Sequence, residues 1–146
     1  MAAVTGDAGV EIRVRMIDES DVVIARMRAF ELASQQGCTV PAATALATAV
    51  SEVSRNIVIH AGCGEVILTT AVRDRRRGVV VTALDTGPGI PEIAEAMRDG
   101  FSTRGSLGLG LPGAQRLVDE FEIESVVGAG TRVTLRQWAP EPSAWP

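Results

Sequence analysis

The sequence predicts a two-layer α/β sandwich, a mixed and mostly antiparallel sheet with helices on one face. Residues 10–16 alternate strictly between apolar (Val10, Ile12, Val14, Met16) and charged side chains, the period of a strand with one wet face. Stretches 65–72 and 78–84 are apolar and β-branched, with only the charged run 73–77 between them, as two antiparallel strands and their turn would be. The predicted order is strand, two helices, two strands, glycine-rich loops, a helix and two strands. It lacks the regular βαβ alternation of a doubly wound parallel sheet.

Each element has its local reason. Asp18 or Ser20 can cap a helix over 21–36, in which Val23, Met27 and Phe30 recur at steps of four and three as a core-facing stripe that could also serve as a partner surface; Gly37 ends it. Pro41 suits the first turn of a second helix, from 42 to about 60, with Leu46, Ala49, Val50, Val53 and Ile57 as its buried stripe and Ala61, Gly62 and Gly64 beyond its end. The arginine run 73–77 reads as a solvated turn. A third helix opens out of the glycine cluster 105–113 and presents Ala114, Leu117, Val118 and Phe121. Strands 122–127 and 131–137 flank Gly128, Ala129 and Gly130 as a closing hairpin. One domain over 1–138 and a proline-rich tail over 139–146 are expected.

Composition excludes several chemistries. All 14 basic residues are arginine, so a P-loop lysine, a Schiff-base lysine and a kinase strand lysine are ruled out together. The net charge of -4 and the single arginine cluster leave no broad footprint for nucleic acid. No apolar run approaches the ~18 residues that cross a bilayer, and a cytoplasmic chain without membrane contact is expected. Cys38 and Cys63 are too few for a metal box, and His60 is the only histidine, with no nucleophile elbow to accompany it.

Three places can carry chemistry. Glu52 and Asn56, four apart, project from one face of the second helix. Such a pair is either an ordinary polar helix edge or a site for phosphoryl transfer, in which Asn56 offers an oxygen to Mg²⁺ and Glu52 accepts a proton. Asp85 stands where a strand meets Thr86-Gly87-Pro88-Gly89, either a plain turn or a carboxylate placed to accept from an exocyclic amine such as adenine's. The glycines from Gly105 to Gly113 lead into a helix start, where exposed N–H groups suit phosphate. Gly108, Gly110 and Gly113 form a G-x-G-x-x-G, but 99–106 does not read as the strand a dinucleotide fold requires before it.

Taken in order, Ser51-Glu-Val-Ser-Arg-Asn-Ile57 with Ala61-Gly62, Asp85-Thr-Gly-Pro-Gly-Ile90, Asp99-Gly-Phe-Ser-Thr103, and Leu107-Gly-Leu-Gly-Leu-Pro-Gly113 running on to Arg116-Leu-Val-Asp-Glu-Phe-Glu-Ile123 resemble the N, G1 and G2 boxes of the GHKL (Bergerat-fold) ATPase/kinase superfamily. Within it the chain is most similar to switch protein kinases of the RsbT type, related to the anti-sigma factor kinases RsbW and SpoIIAB. A histidine at the offset of His60 looks more like the anti-sigma branch.

The resemblance implies an ATP and Mg²⁺ site. Glu52 would be the general base, Asn56 the Mg²⁺ ligand and Asp85 the adenine reader, with Gly87 and Gly89 shaping the adenine side and Thr131 beside it. Residues 101–107, including Thr103, Arg104, Gly105 and Leu107, would form an ATP lid, with Gly108, Leu109 and Gly110 presenting backbone to the phosphates. In a lysine-free chain Arg104 could also meet phosphate charge. The implied activity is a serine/threonine kinase that phosphorylates a STAS-domain antagonist and activates a PP2C-type phosphatase once released. The alternatives are an anti-sigma factor that holds a sigma factor and phosphorylates its anti-anti-sigma factor, and a nucleotide-binding adaptor without transfer activity.

Overall fold

The computed structural model describes residues 9–90, 97 and 110–142. Strand β1 (Glu11–Met16) buries Val14 and Met16 and leaves Glu11, Arg13 and Arg15 on its other side. Its end runs directly into a capping box: the Asp18 carboxylate accepts from the N–H groups of Ser20 and Asp21, and the Asp21 carboxylate accepts from the N–H of Asp18. Helix α1 (Glu19–Gln35) therefore begins two residues before its expected start.

The face predicted for α1 is a correction. Val23, Met27 and Phe30 point outward, with Met27 54% exposed, while Val22, Ala25, Ala29, Leu32 and Ala33 are buried. The period is helical but its phase is shifted by one residue. Alanine methyls let α1 lie close along α2, a contact that larger side chains would hold apart.

Helix α2 (Val40–Asn56) is capped by the Thr39 hydroxyl and carries Pro41 in its first turn. Its predicted stripe is buried in full: Leu46, Ala49, Val50, Val53 and Ile57. The helix does not run evenly to residue 60; from Ile57 to Ala61 it widens into a π-turn, a feature frequent beside functional sites.

Strands β2 (Gly64–Arg73) and β3 (Arg76–Asp85) form a hairpin whose turn is only Asp74 and Arg75, at φ +52° and +67°. Positive φ at both turn positions matches the right-handed twist of the flanking strands. The arginine run is thus mostly strand, Arg73 opposite Arg76 and Val72 opposite Arg77. Helix α3 (Gly110–Leu117) stops short of Phe121, which lies instead in β4 (Glu120–Val126) opposite Leu135 of β5 (Gly130–Trp138).

The strand order is β1-β2-β3-β5-β4, antiparallel at every described pairing. The core lies between one sheet face and the helices, built from Leu46, Val50, Val53, Val66, Leu68, Val79, Val81 and Leu135. The other face carries charged pairs such as Arg13 with Glu65 and Arg136 with Glu122.

One buried polar side chain fixes how α3 sits. Gln137 of β5 donates from Nε2 to the carbonyls of Ala42 (3.0 Å) and Leu117 (3.3 Å), and its Oε1 accepts from the Asp119 N–H at 2.8 Å. The start of α2, the end of α3 and the last strand are joined by that carboxamide. Ala139, assigned by sequence to the tail, is buried, and its N–H reaches the Arg77 carbonyl. Among the described residues no helix is long and apolar enough to cross a membrane.

Candidate active site

Strand register builds the floor of the site. At one end of the sheet, on the helix side, Gly64, Asp85, Thr131 and Ser125 lie in one row across β2, β3, β5 and β4. Directly opposed residues on antiparallel strands have adjacent side chains, so Asp85 and Thr131 work as a pair.

Asp85 ends β3, and one of its carboxylate oxygens accepts the Gly87 N–H at 2.8 Å. A side chain at Gly87 would come within 2.6 Å of the Ala61 Cβ, so the turn after β3 rests against the π-turn of α2. Gly89, at φ +80°, passes as closely over the Val126 carbonyl. Two hydrogen bonds hold this turn to the β4–β5 hairpin: Gly128 N–H to the Pro88 carbonyl (2.8 Å) and Ile90 N–H to Ser125 Oγ (2.7 Å). Ser125 Oγ also lies 2.9 Å from Thr131 Oγ1 and 3.2 Å from the Gly130 carbonyl.

The other half of the site stands on α2. Glu52 and Asn56 share a helix face one turn apart. The Glu52 side chain is only 13% exposed; one oxygen accepts the Gly110 N–H at 3.1 Å and the other lies 3.6 Å from Arg55, which also reaches Glu19 at 3.2 Å. Gly110 is the first residue of α3, so a helix N-terminus and a carboxylate meet here. Asn56 leads straight into the π-turn, whose last residue, Ala61, touches the Gly87 turn.

The structure thus places Asp85, Gly87, Gly89 and Thr131 in one group and Glu52, Asn56 and Gly110 in another, joined through the π-turn. Thr103, Arg104, Gly105, Leu107, Gly108 and Leu109 lie outside the described residues. His60 is exposed within the π-turn. The residues that sequence reasoning missed are Arg55, which holds Glu52, and Ser125, which ties three parts of the floor together. Ser125 does leave a trace in the sequence: it is the polar residue at an inward position of a strand whose other inward residues are Phe121 and Ile123. Among the described residues no three His, Cys, Asp or Glu gather into a metal cage.

Chemically, one end holds a carboxylate acceptor beside a hydroxyl, and the other holds a carboxylate, a carboxamide and a helix N-terminus. That is the equipment of a nucleotide-using domain. The family comparison agrees: the chain belongs to the histidine kinase-like ATPase domain family, which matches residues 17–137. It is 42% identical to the serine/threonine-protein kinase RsbT of Bacillus subtilis over 125 residues, 86% of this chain and 94% of that protein. It is also similar to anti-sigma F factors, at 31% identity with that of Caldanaerobacter subterraneus over 112 residues (73% of this chain, 77% of the relative). Against that of Geobacillus kaustophilus the identity is 34% over 121 residues (77% and 81%).

Proposed function

We propose that the chain is an ATP-dependent serine/threonine protein kinase of a cytoplasmic partner-switching module. It transfers the γ-phosphate to a STAS-domain antagonist and, once released from that antagonist, activates a PP2C-type phosphatase. The observation that carries this reading is Glu52, a largely buried carboxylate one turn from Asn56 and at the N-terminus of α3. The similarity to RsbT, the longer and stronger of the matches reported above, supports it.

The residues present fit Mg²⁺. Asn56 is half-buried and supplies a hard amide oxygen, the donor type that would hold Mg²⁺ together with nucleotide phosphates and water. When bound, the ion neutralises charge on the transferred phosphoryl group. Glu52 accepts the proton of the attacking serine or threonine hydroxyl, and Arg55 and the Gly110 N–H keep its carboxylate oriented until then. Asp85 holds the exocyclic amine of adenine, and Thr131 lies next to it.

A second reading, an anti-sigma factor that sequesters a sigma factor and phosphorylates its anti-anti-sigma factor, is favoured by the anti-sigma F relatives. Incubating the chain with Mg²⁺, ATP and each STAS-domain protein of its genome, followed by intact-mass measurement, tests the transfer that both readings include, and sigma-factor binding separates the two. One added phosphate on one protein, absent with Glu52→Ala, is the expected result. No transfer despite ATP binding would refute the kinase reading, and transfer together with sigma-factor binding would establish the second.

A further inference from the structure

We propose that Glu19 is a positioning residue for phosphoryl transfer: it draws the Arg55 guanidinium off Glu52, so that the base is oriented without its proton-accepting oxygen being occupied. The proposal rests on the kinase reading above, in which Glu52 is that base. Four groups from three helices stand in line. Glu19 Oε2, in the first turn of α1, accepts from Arg55 Nη2 at 3.2 Å. Arg55 Nη1 lies 3.6 Å from Glu52 Oε2, an ion pair just beyond hydrogen-bond distance. Glu52 Oε1 accepts the Gly110 N–H of α3 at 3.1 Å.

Spacing along α2 does not produce this arrangement by itself. Glu52 and Arg55 are three residues apart and are neighbours in any case. With Glu52 only 13% exposed, the default for such a pair is a direct fork of N–H groups on the carboxylate. That fork would occupy Oε2 and stabilise the charged carboxylate, and a carboxylate so held accepts a proton poorly. Instead one arm of the guanidinium is committed to a carboxylate on another helix. Because the group is a rigid plane, fixing one arm limits where the other can go. Oε1 is anchored by α3, and Oε2 is the oxygen that takes the hydroxyl proton of the protein substrate.

Glu19 is 63% exposed, and an exposed pair of this kind adds little to stability. Its removal therefore acts on rate. Glu19→Gln keeps the length and shape of the side chain but removes the charge that competes with Glu52 for Arg55.

The test is the kinetics of phosphate transfer to the accepting STAS-domain protein for wild type, Glu19→Gln, Arg55→Ala and the double variant, with ADP affinity measured by calorimetry in Mg²⁺. Glu19→Gln is expected to lower kcat about two- to fivefold, the range of one such ion pair, with both KM values and ADP affinity unchanged. On the Arg55→Ala background it should lower kcat no further, since no guanidinium is left to place. Glu31→Gln, which breaks the Arg28 pair on the same helix, should leave kcat as it is. An equal fall with and without Arg55, an unchanged kcat, or a raised KM for the STAS-domain protein alone would overturn the assignment of Glu19 while leaving the kinase reading in place. A wild-type chain that binds ADP but phosphorylates no STAS-domain protein would remove that reading and this inference together.

Discussion

Replacing Gly130 by alanine tests whether the floor of the site depends on a close backbone approach. Gly130 adopts φ +126°, and a side chain there would run into the Asp85 carbonyl oxygen and stand 2.8 Å from the Thr86 Cα. The backbone conformation alone costs an alanine about 1–3 kcal/mol. Pushing apart packed atoms adds about 1–3 kcal/mol, and the stiffer unfolded chain returns about 0.4–1 kcal/mol. The net expectation is about 3 kcal/mol, a fall of roughly 1.5 M in the urea midpoint for a domain of this size.

Two positions earlier, Gly128 provides the control. It has φ +84°, but nothing stands within 4 Å of where its Cβ would be. Gly128→Ala therefore meets only the left-handed backbone term, offset by the unfolded state, and costs about 1 kcal/mol or less. Urea unfolding followed by far-ultraviolet circular dichroism measures both. Because the Gly130 contact lies under the rung pairing Asp85 with Thr131, ADP affinity should fall in Gly130→Ala and hold in Gly128→Ala. Equal losses in the two variants would refute the argument from close approach.

Two further outcomes follow from the fold. The Arg73 guanidinium, then the Trp138 indole, hold the Glu120 carboxyl below its usual range, and Arg136 adds to this. A carboxyl depressed by folding stabilises the protein fully above its unfolded-state pKa, and that contribution disappears as pH falls from there through the folded value. The urea midpoint should thus decline on acidification from about pH 5 downward, and less steeply in Glu120→Gln; identical slopes would contradict the assignment. Gln137→Leu strands the Asp119 N–H and two carbonyls in a part-buried setting and should cost about 1–3 kcal/mol, against less than about 1 kcal/mol for Thr44→Ala on the surface of α2, by the same unfolding assay.

How far the sequence reaches can be seen residue by residue. The alternation in β1, the stripe of α2 and the turn residues around Gly128 and Gly130 are local signals, and the elements they predict are present. Glu52 with Asn56 was legible because helical spacing alone puts them on one face, and Asp85 because a strand must end where two glycines follow. By contrast, α1 has two helical stripes one residue apart, and the choice between them was made by α2, whose surface accepts alanine methyls closely. Phe121 fits the period of the preceding helix, yet Asp119 and Gln137 end that helix and Leu135 claims the phenyl ring for the sheet. Ser125 meets Gly130 and Thr131 across its own hairpin, but Ile90, 35 residues away, reaches the same hydroxyl only because β5 lies between β3 and β4 and brings that hairpin beside the turn after Asp85. Periodicity reports that an element has a face to bury, and short motifs report chemistry within one turn of backbone. Which face is buried, and which distant polar groups share a proton, are settled by strand order and packing, interactions between residues that the sequence keeps far apart.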